Sequence, residues 1–298
     1  MVKELEQLIY MAKNRPVKTM SVAVAEDKDI LKAVGDAVDL GIINATLVGN
    51  KEKIEAILKE EKILLKDAKI INEKDSKIAA KLAVEEVSLG KADFIMKGMI
   101  NTADLLKAVL DKNANLRMDS LLSHVMVYEI PTYHKLIFLT DGGMVSYPEV
   151  KDKIAILNNA VSVVNSLGID KPKVAAICAV ETVNPSMQST IDASILSQMN
   201  KRGQIKNCLV DGPLGLDNSI SKEAAKHKGI QSEVAGDADI LLVPNIESGN
   251  FLGKSLTYFG KAKSAGIIVG AKCPIVLVSR ADSAMSKLYS IALGALMD

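Results

Sequence analysis

The chain has 298 residues, 48% hydrophobic and 24% charged, a composition of an ordinary globular protein with room for about two domains. A formal net charge of +1 and an aromatic content of 3%, with no tryptophan, argue against a nucleic-acid binder or a protein held on an anionic membrane. The opening Met1-Val-Lys-Glu-Leu-Glu is amphipathic and unlike a signal peptide, and no apolar run reaches the about 18 residues of a membrane span.

Leu5, Leu8, Ile9 and Ala12 predict a first helix, and Thr19–Ala25 a strand. Asp27 or Asp29 is placed to cap a helix with Ile30, Leu31, Val34, Ala37 and Val38 inward, ending at Gly41. Strands follow at 45–48 and 68–71, and helices at 51–59 and 75–89, the last stopped by Gly90. A fourth strand, 92–96, runs into Lys97-Gly98-Met-Ile-Asn101-Thr102-Ala-Asp104 and a helix through Val109. Gly98 permits close backbone approach, and Thr102 is suited to cap that helix. Lys97 is open to two readings, a phosphate contact or a solvated lysine at a strand end.

After Arg117 the rhythm changes. Residues 123–130 and 135–140 read as a hairpin joined by Pro131-Thr-Tyr-His134, the start of a second domain. Asp141-Gly142-Gly143 closes it, and alternation then resumes. Helices are expected at 149–167, 186–199, 219–228 and from about 250 to Lys263; strands are expected at 174–177, 208–211 and 240–243. Alternation at these lengths implies α/β architecture with right-handed crossovers.

The last segment holds Ile275-Val-Leu-Val278, apolar at every position, as in a strand covered on both faces. From Ala284 the period turns helical, with Met285, Leu288, Ile291, Ala292 and Ala295 on one face. Ser279, Arg280, Asp282 and Ser283 therefore fall at a strand-to-helix turn, where parallel sheets collect ligands. Two readings are open there: an anion site with Arg280 as a bidentate donor, or a surface arginine with Ser279 or Ser283 as the helix cap.

Several chemistries lack their residues. Gly249-Asn-Phe-Leu-Gly253-Lys254-Ser255 resembles a P-loop but has three residues between its glycines, where a P-loop has four. No dinucleotide G-x-G-x-x-G occurs, and His124, His134 and His227 are scattered outside any catalytic motif. Cys178, Cys208 and Cys273 show neither metal-ligand spacing nor a disulfide framework and fit a reducing cytoplasm. No metal site is implied. The strand-end turns that remain (97–102, 141–143, 181–184, 211–212, 247–250 and 279–280) offer arginine, asparagine and N–H groups without a nucleophile. That suits a reaction whose substrates bring their own nucleophile and leaving group.

Ala92–Asp104, Asp211-Gly-Pro-Leu-Gly-Leu216, Val234-Ala-Gly236, Pro244-Asn-Ile-Glu-Ser-Gly-Asn250 and Val278-Ser-Arg280 together resemble the phosphate acetyltransferase and phosphate butyryltransferase family. Lys97-Gly98 and Ser279-Arg-Ala-Asp-Ser283 look closer to its butyryl branch. The resemblance implies two α/β/α domains with a cleft between them, similar to isocitrate and isopropylmalate dehydrogenases. One would be 1–122 with 267–298, the other 123–266. It implies the reaction acyl-CoA plus phosphate giving acyl phosphate plus CoA, with no tightly bound cofactor, in a cytoplasmic homo-oligomer. Ser279 and Arg280 would contact phosphate and the transition state. The acetyl branch carries an aspartate where this chain has Ser286, so Asp282 is considered as its substitute. Lys97, Gly98, Asn101, Thr102, Asp141, Gly142, Glu247, Gly249 and Asn250 are the expected substrate contacts. Two rival classes are an NAD-dependent β-decarboxylating dehydrogenase, which would need clustered aspartates for a metal, and a non-catalytic CoA or acyl-phosphate sensor.

Overall fold

The computed structural model describes residues 2–65, 67–279 and 282–297. The chain forms two compact units, one of Leu5–Ser120 with Ala265–Asp298, the other of Met1–Glu4 with Leu121–Ser264.

The chain begins with α1 (Glu6–Lys13) and then alternates β1 (Lys18–Ala23), α2 (Lys28–Asp39), β2 (Ile43–Gly49), α3 (Lys51–Glu60), β3 (Lys69–Asn72), α4 (Ser76–Ser88), β4 (Phe94–Lys97) and α5 (Thr102–Val109). Short polar side chains set the helix starts. Asp27 accepts from the Ile30 N–H at 2.9 Å, Asn50 from Lys53 and Asp75 from Lys77 and Ile78. All four strands are parallel, in the order β3-β2-β1-β4. The apolar residues of β1, β2 and β4 are buried on both faces, which explains their nearly unbroken apolar runs.

The contiguous unit carries the hairpin β5 (Ser123–Glu129) and β6 (Ile137–Thr140), paired antiparallel as expected. Then come α6 (Val150–Ser166), β7 (Lys173–Ile177), α7 (Gln188–Lys201), β8 (Leu209–Leu214), α8 (Leu216–Ile220), α9 (Lys222–His227), β9 (Ile240–Leu242) and α10 (Ile246–Tyr258). Its strand order is β5-β6-β9-β7-β8, with β6, β9, β7 and β8 parallel. Tyr128, Ile137, Leu139, Ala175, Val234 and Leu241 centre one core cluster. Two sequence expectations change. The 208–211 strand continues through Gly212-Pro213, and the helix expected at 219–228 is two short helices divided at Ser221.

The chain then returns to its first unit through β10 (Lys263–Val269), β11 (Ile275–Val276) and α11 (Ala284–Leu296). α10 ends at Tyr258, short of the expected Lys263, and β10, which was not expected, begins at Lys263. β11 has two residues instead of four, antiparallel to β10 and parallel to β4. α11 packs on α2 and α1, and every residue from Lys287 to Leu296 is buried. Met285, expected on its inner face, is 48% exposed. Tyr289 donates its hydroxyl to Glu6 at 3.0 Å, and the Lys18 ammonium donates to the Met297 carbonyl, so the two ends of the chain are tied together.

Candidate functional site

Three parallel strands of the first unit end side by side. Ala23 of β1 is level with Lys97 of β4, and Val276 of β11 is level with Met96. Their carboxyl-end turns, 24–27, 97–99 and 277–279, are therefore neighbours. Asp27, Ile30, Lys97, Gly98, Met99, Val278, Ser279 and Lys287 line one small recess there. The backbone is tight at this point. The Gly98 N–H donates to the Ala23 carbonyl at 2.8 Å and the Met99 N–H to the Val24 carbonyl at 2.7 Å. A Cβ on residue 98 would lie 2.0 Å from the Val24 oxygen, so only glycine fits. Val24 itself is left-handed at φ 59°, a strained setting for a β-branched residue.

Ser279 is exposed, and its N–H donates to the Asp282 carboxylate at 2.8 Å. Asp282 thus holds the turn. Ser283 caps α11, its hydroxyl accepting from the Ser286 N–H at 3.2 Å, which answers which of the two serines is the cap. Arg280 lies outside the described residues. Lys97 is 7% exposed, and its ammonium donates to the carbonyls of Gly98 and Ile100 at 3.1 and 2.9 Å. The solvated-lysine reading is excluded by that burial. Asn101 is the residue before α5 and Thr102 is the first within it, so the expected cap shifts by one.

The contiguous unit has its own strand-end cluster. β6 and β9 are parallel neighbours, so Asp141 after β6 and Asn245 after β9 share one edge. Asp141 is 2% exposed, and its carboxylate accepts from the N–H groups of Gly143, Met144 and Val145 at 2.8, 2.9 and 3.1 Å. Burial pushes its carboxyl above the ordinary range, against those bonds and the nearby His124. Gly142 and Gly249 abut. A Cβ on Gly249 would fall 2.7 Å from the Gly142 Cα, so both glycines serve the packing of the Asp141 loop on α10. Glu247, Ser248, Gly249 and Asn250 lie within the first turns of α10 and not in the turn before it. Asn245 is the cap, accepting from the Ser248 N–H at 3.0 Å, while Glu247 and Asn250 are exposed. The P-loop-like 249–255 stretch is therefore helix, not a phosphate-cradling loop. Of the other expected turns, Glu181 pairs with Lys228 at 3.1 Å, and Asp211 lies inside β8.

Burial raises all three thiols, with Cys208 pushed up to about 11 and Cys273 to about 12, so neither is a thiolate at neutral pH. Among the described residues no group of three or more His, Cys, Asp or Glu side chains is placed to hold a metal, and no helix is long and apolar enough to cross a membrane. Lys287, which is 2% exposed on the recess, stands in none of the strand-end turns or motifs of the sequence. Its signal was present: a single charge heads Leu288–Leu296, a helical run without another, and a helix apolar all round is buried.

A family model described as Phosphate acetyl/butaryl transferase matches residues 78–295. The phosphate butyryltransferase of Clostridium acetobutylicum is 51% identical over 297 residues, covering 100% of this chain and 99% of that one. A branched-chain phosphotransacylase from Enterococcus faecalis V583 has a similar structure, with TM-score 0.82 and 35% identity over 94% of this chain and 99% of its own. A 4-hydroxythreonine-4-phosphate dehydrogenase from Klebsiella pneumoniae shares the fold at TM-score 0.55 and 12% identity, over 93% and 98% of the two chains, so the α/β fold is dehydrogenase-like.

Proposed function

Because this chain belongs to the phosphate acetyl/butaryl transferase family, we propose that it converts butyryl-CoA and inorganic phosphate to butyryl phosphate and CoA. It is a phosphate acyltransferase, and a dehydrogenase activity is not favoured. The full-length 51% identity to a phosphate butyryltransferase carries the choice of acyl group. An acetyl donor is the alternative, since the family description names both.

The reaction is a direct displacement in a ternary complex. A phosphate oxygen attacks the thioester carbonyl and forms the new C–O bond. The C–S bond breaks, and the CoA thiolate leaves and takes a proton. In reverse the thiolate attacks and phosphate leaves. Arg280 holds the phosphoryl oxygens as a charge-assisted bidentate donor. The Ser279 hydroxyl donates to the developing oxyanion or to phosphate. Asp282 positions Ser279 through its backbone bond, a reading supported by the 2.8 Å distance. Lys97 adds positive charge on the recess, and Gly98, Asn101 and Thr102 complete that turn. Asp141, Gly142, Glu247, Gly249 and Asn250 remain proposed substrate contacts, with Glu247 and Asn250 favoured by their exposure. The protein is taken to work in the cytoplasm as a homo-oligomer, with acyl-CoA and phosphate as its ligands and no tightly bound cofactor.

The test is release of CoA thiol from acetyl-, propionyl-, butyryl- and isobutyryl-CoA with and without phosphate. Release should require phosphate. Two further methylenes buried beside Met99 and Val278, at about 0.8 kcal/mol each, favour butyryl over acetyl by about tenfold in kcat/KM. A preference for acetyl would move the chain to the acetyl branch, and phosphate-independent behaviour would defeat the reading. Arg280→Ala should lower turnover about a hundredfold, the equivalent of about 3 kcal/mol. Wild-type turnover in that variant would remove Arg280 from the mechanism.

A further inference from the structure

We propose that Lys287 is a phosphate-binding residue of this enzyme, holding the phosphoryl oxygens in the recess beside Ser279. The inference rests on the acyl-transfer reading above and deepens it. Lys287 shares the recess lining with Ser279 and Lys97. It is 2% exposed, yet among the described residues its ammonium has a single hydrogen bond, to the Asp282 carbonyl, and no carboxylate in ion-pair range. An ammonium has three donors, so two are left to fill. Asp27, the carboxylate on the same recess, is engaged by the Ile30 N–H.

A lysine so placed opposes folding. Burying a charge without a counter-ion is unfavourable, and a cation in the first turn of α11 stands at the wrong end of the helix dipole. Methionine would fill the same space without either cost. What the ammonium does offer is two unfilled donors and a positive charge at a recess edged by an exposed serine. An oxyanion with several acceptor oxygens satisfies both. Inorganic phosphate meets that description in one direction of the reaction and the phosphoryl end of acyl phosphate in the other. The phosphate groups of CoA meet it too, but Lys287 shares its recess with Ser279, at the turn assigned to the reacting phosphate, and the separate KM values for phosphate and butyryl-CoA tell the two apart. Lys287 is therefore assigned to the phosphate and not to the thioester.

Lys287→Met and Lys287→Arg separate this role from a structural one. Lys287→Met should raise KM for phosphate by about ten- to a hundredfold, the range for losing a hydrogen bond to a charged group. KM for butyryl-CoA should stay within about threefold, and the melting temperature should be unchanged or higher. Lys287→Arg keeps the charge and should recover most of the phosphate affinity. Calorimetric titration of inorganic phosphate into wild type and Lys287→Met should show binding only in the former. An unchanged phosphate KM in Lys287→Met overturns the proposal. A lowered melting temperature with both KM values rising together also overturns it, because that is the signature of a strut for the Asp282 turn. If wild type releases no CoA with phosphate, the acyl-transfer reading fails instead, and the calorimetry still judges the phosphate site.

Discussion

Four lysines are buried among the described residues, two in each unit, and Lys287 differs from the two of the contiguous unit. In the contiguous unit Lys153 meets Asp192 at 2.6 Å, and Lys135 meets Asp239 at 2.6 Å and Asp237 at 3.0 Å. In the other unit the hydrogen bonds of Lys97 and Lys287 include the carbonyls of Gly98, Ile100 and Asp282. The first pair of lysines is neutralised by the fold itself. Lys287 is solvated by the fold but not neutralised, which is how a charge is kept available for a ligand. Burial by itself does not mark a lysine as functional; what surrounds its charge does.

The sharpest way to break that contrast is Lys153→Met. Among the described residues it leaves the buried Asp192 carboxylate with the hydrogen bond from Gln188 Nε2 at 2.8 Å and no ammonium, so it should cost about 3–5 kcal/mol in urea unfolding. The double variant Lys153→Met with Asp192→Leu should recover most of that loss. A harmless Lys153→Met would mean that pairing does not separate the two kinds of lysine. Asp237→Asn should have a smaller effect. Burial would raise the Asp237 carboxyl, but hydrogen bonds from Lys173 at 2.6 Å and Lys135 outweigh it and hold the group well below its usual range. A depressed carboxyl contributes stability above the unfolded value near 4 and loses it as pH falls further, so the variant should lose on the order of 1 kcal/mol at pH 7 and less below about pH 4. A pH-independent difference would remove the ion pairs as its cause. The smallest effect belongs to the cysteines. A triple Cys→Ala variant should keep most activity, because CoA supplies the thiol, and mass spectrometry should find no acyl group on Cys178, Cys208 or Cys273 of the wild type.

The elements with clear periodicity were legible. The hairpin showed in its alternation and turn, and the caps Asp27 and Ser283 were each among the two residues expected. β10 was not legible, because Lys263-Ser-Ala-Gly266 is small and polar and carries no strand signal of its own. The start of α10 was misjudged for a related reason. Ser-Gly-Asn is turn-like in composition, but here Gly249 sits in a helix because the Asp141 loop needs the space. At the recess, Lys97, Gly98 and Ser279 were singled out from strand ends. Lys287 was not, since a lysine on a helix is ordinarily a solvated one, although the apolar run that follows it marks α11 as a buried helix.

The tie between the ends of the chain bears on its synthesis. The contiguous unit is almost entirely one unbroken stretch, Leu121–Ser264, and can complete its sheet as soon as that stretch leaves the ribosome. The other unit lacks β10, β11 and α11 until residues 263–296 are made, leaving the apolar faces of β4 and α2 uncovered. At ordinary translation rates that wait is on the order of ten to thirty seconds. During it, residues 5–120 are the part of the nascent protein most in need of a holding chaperone.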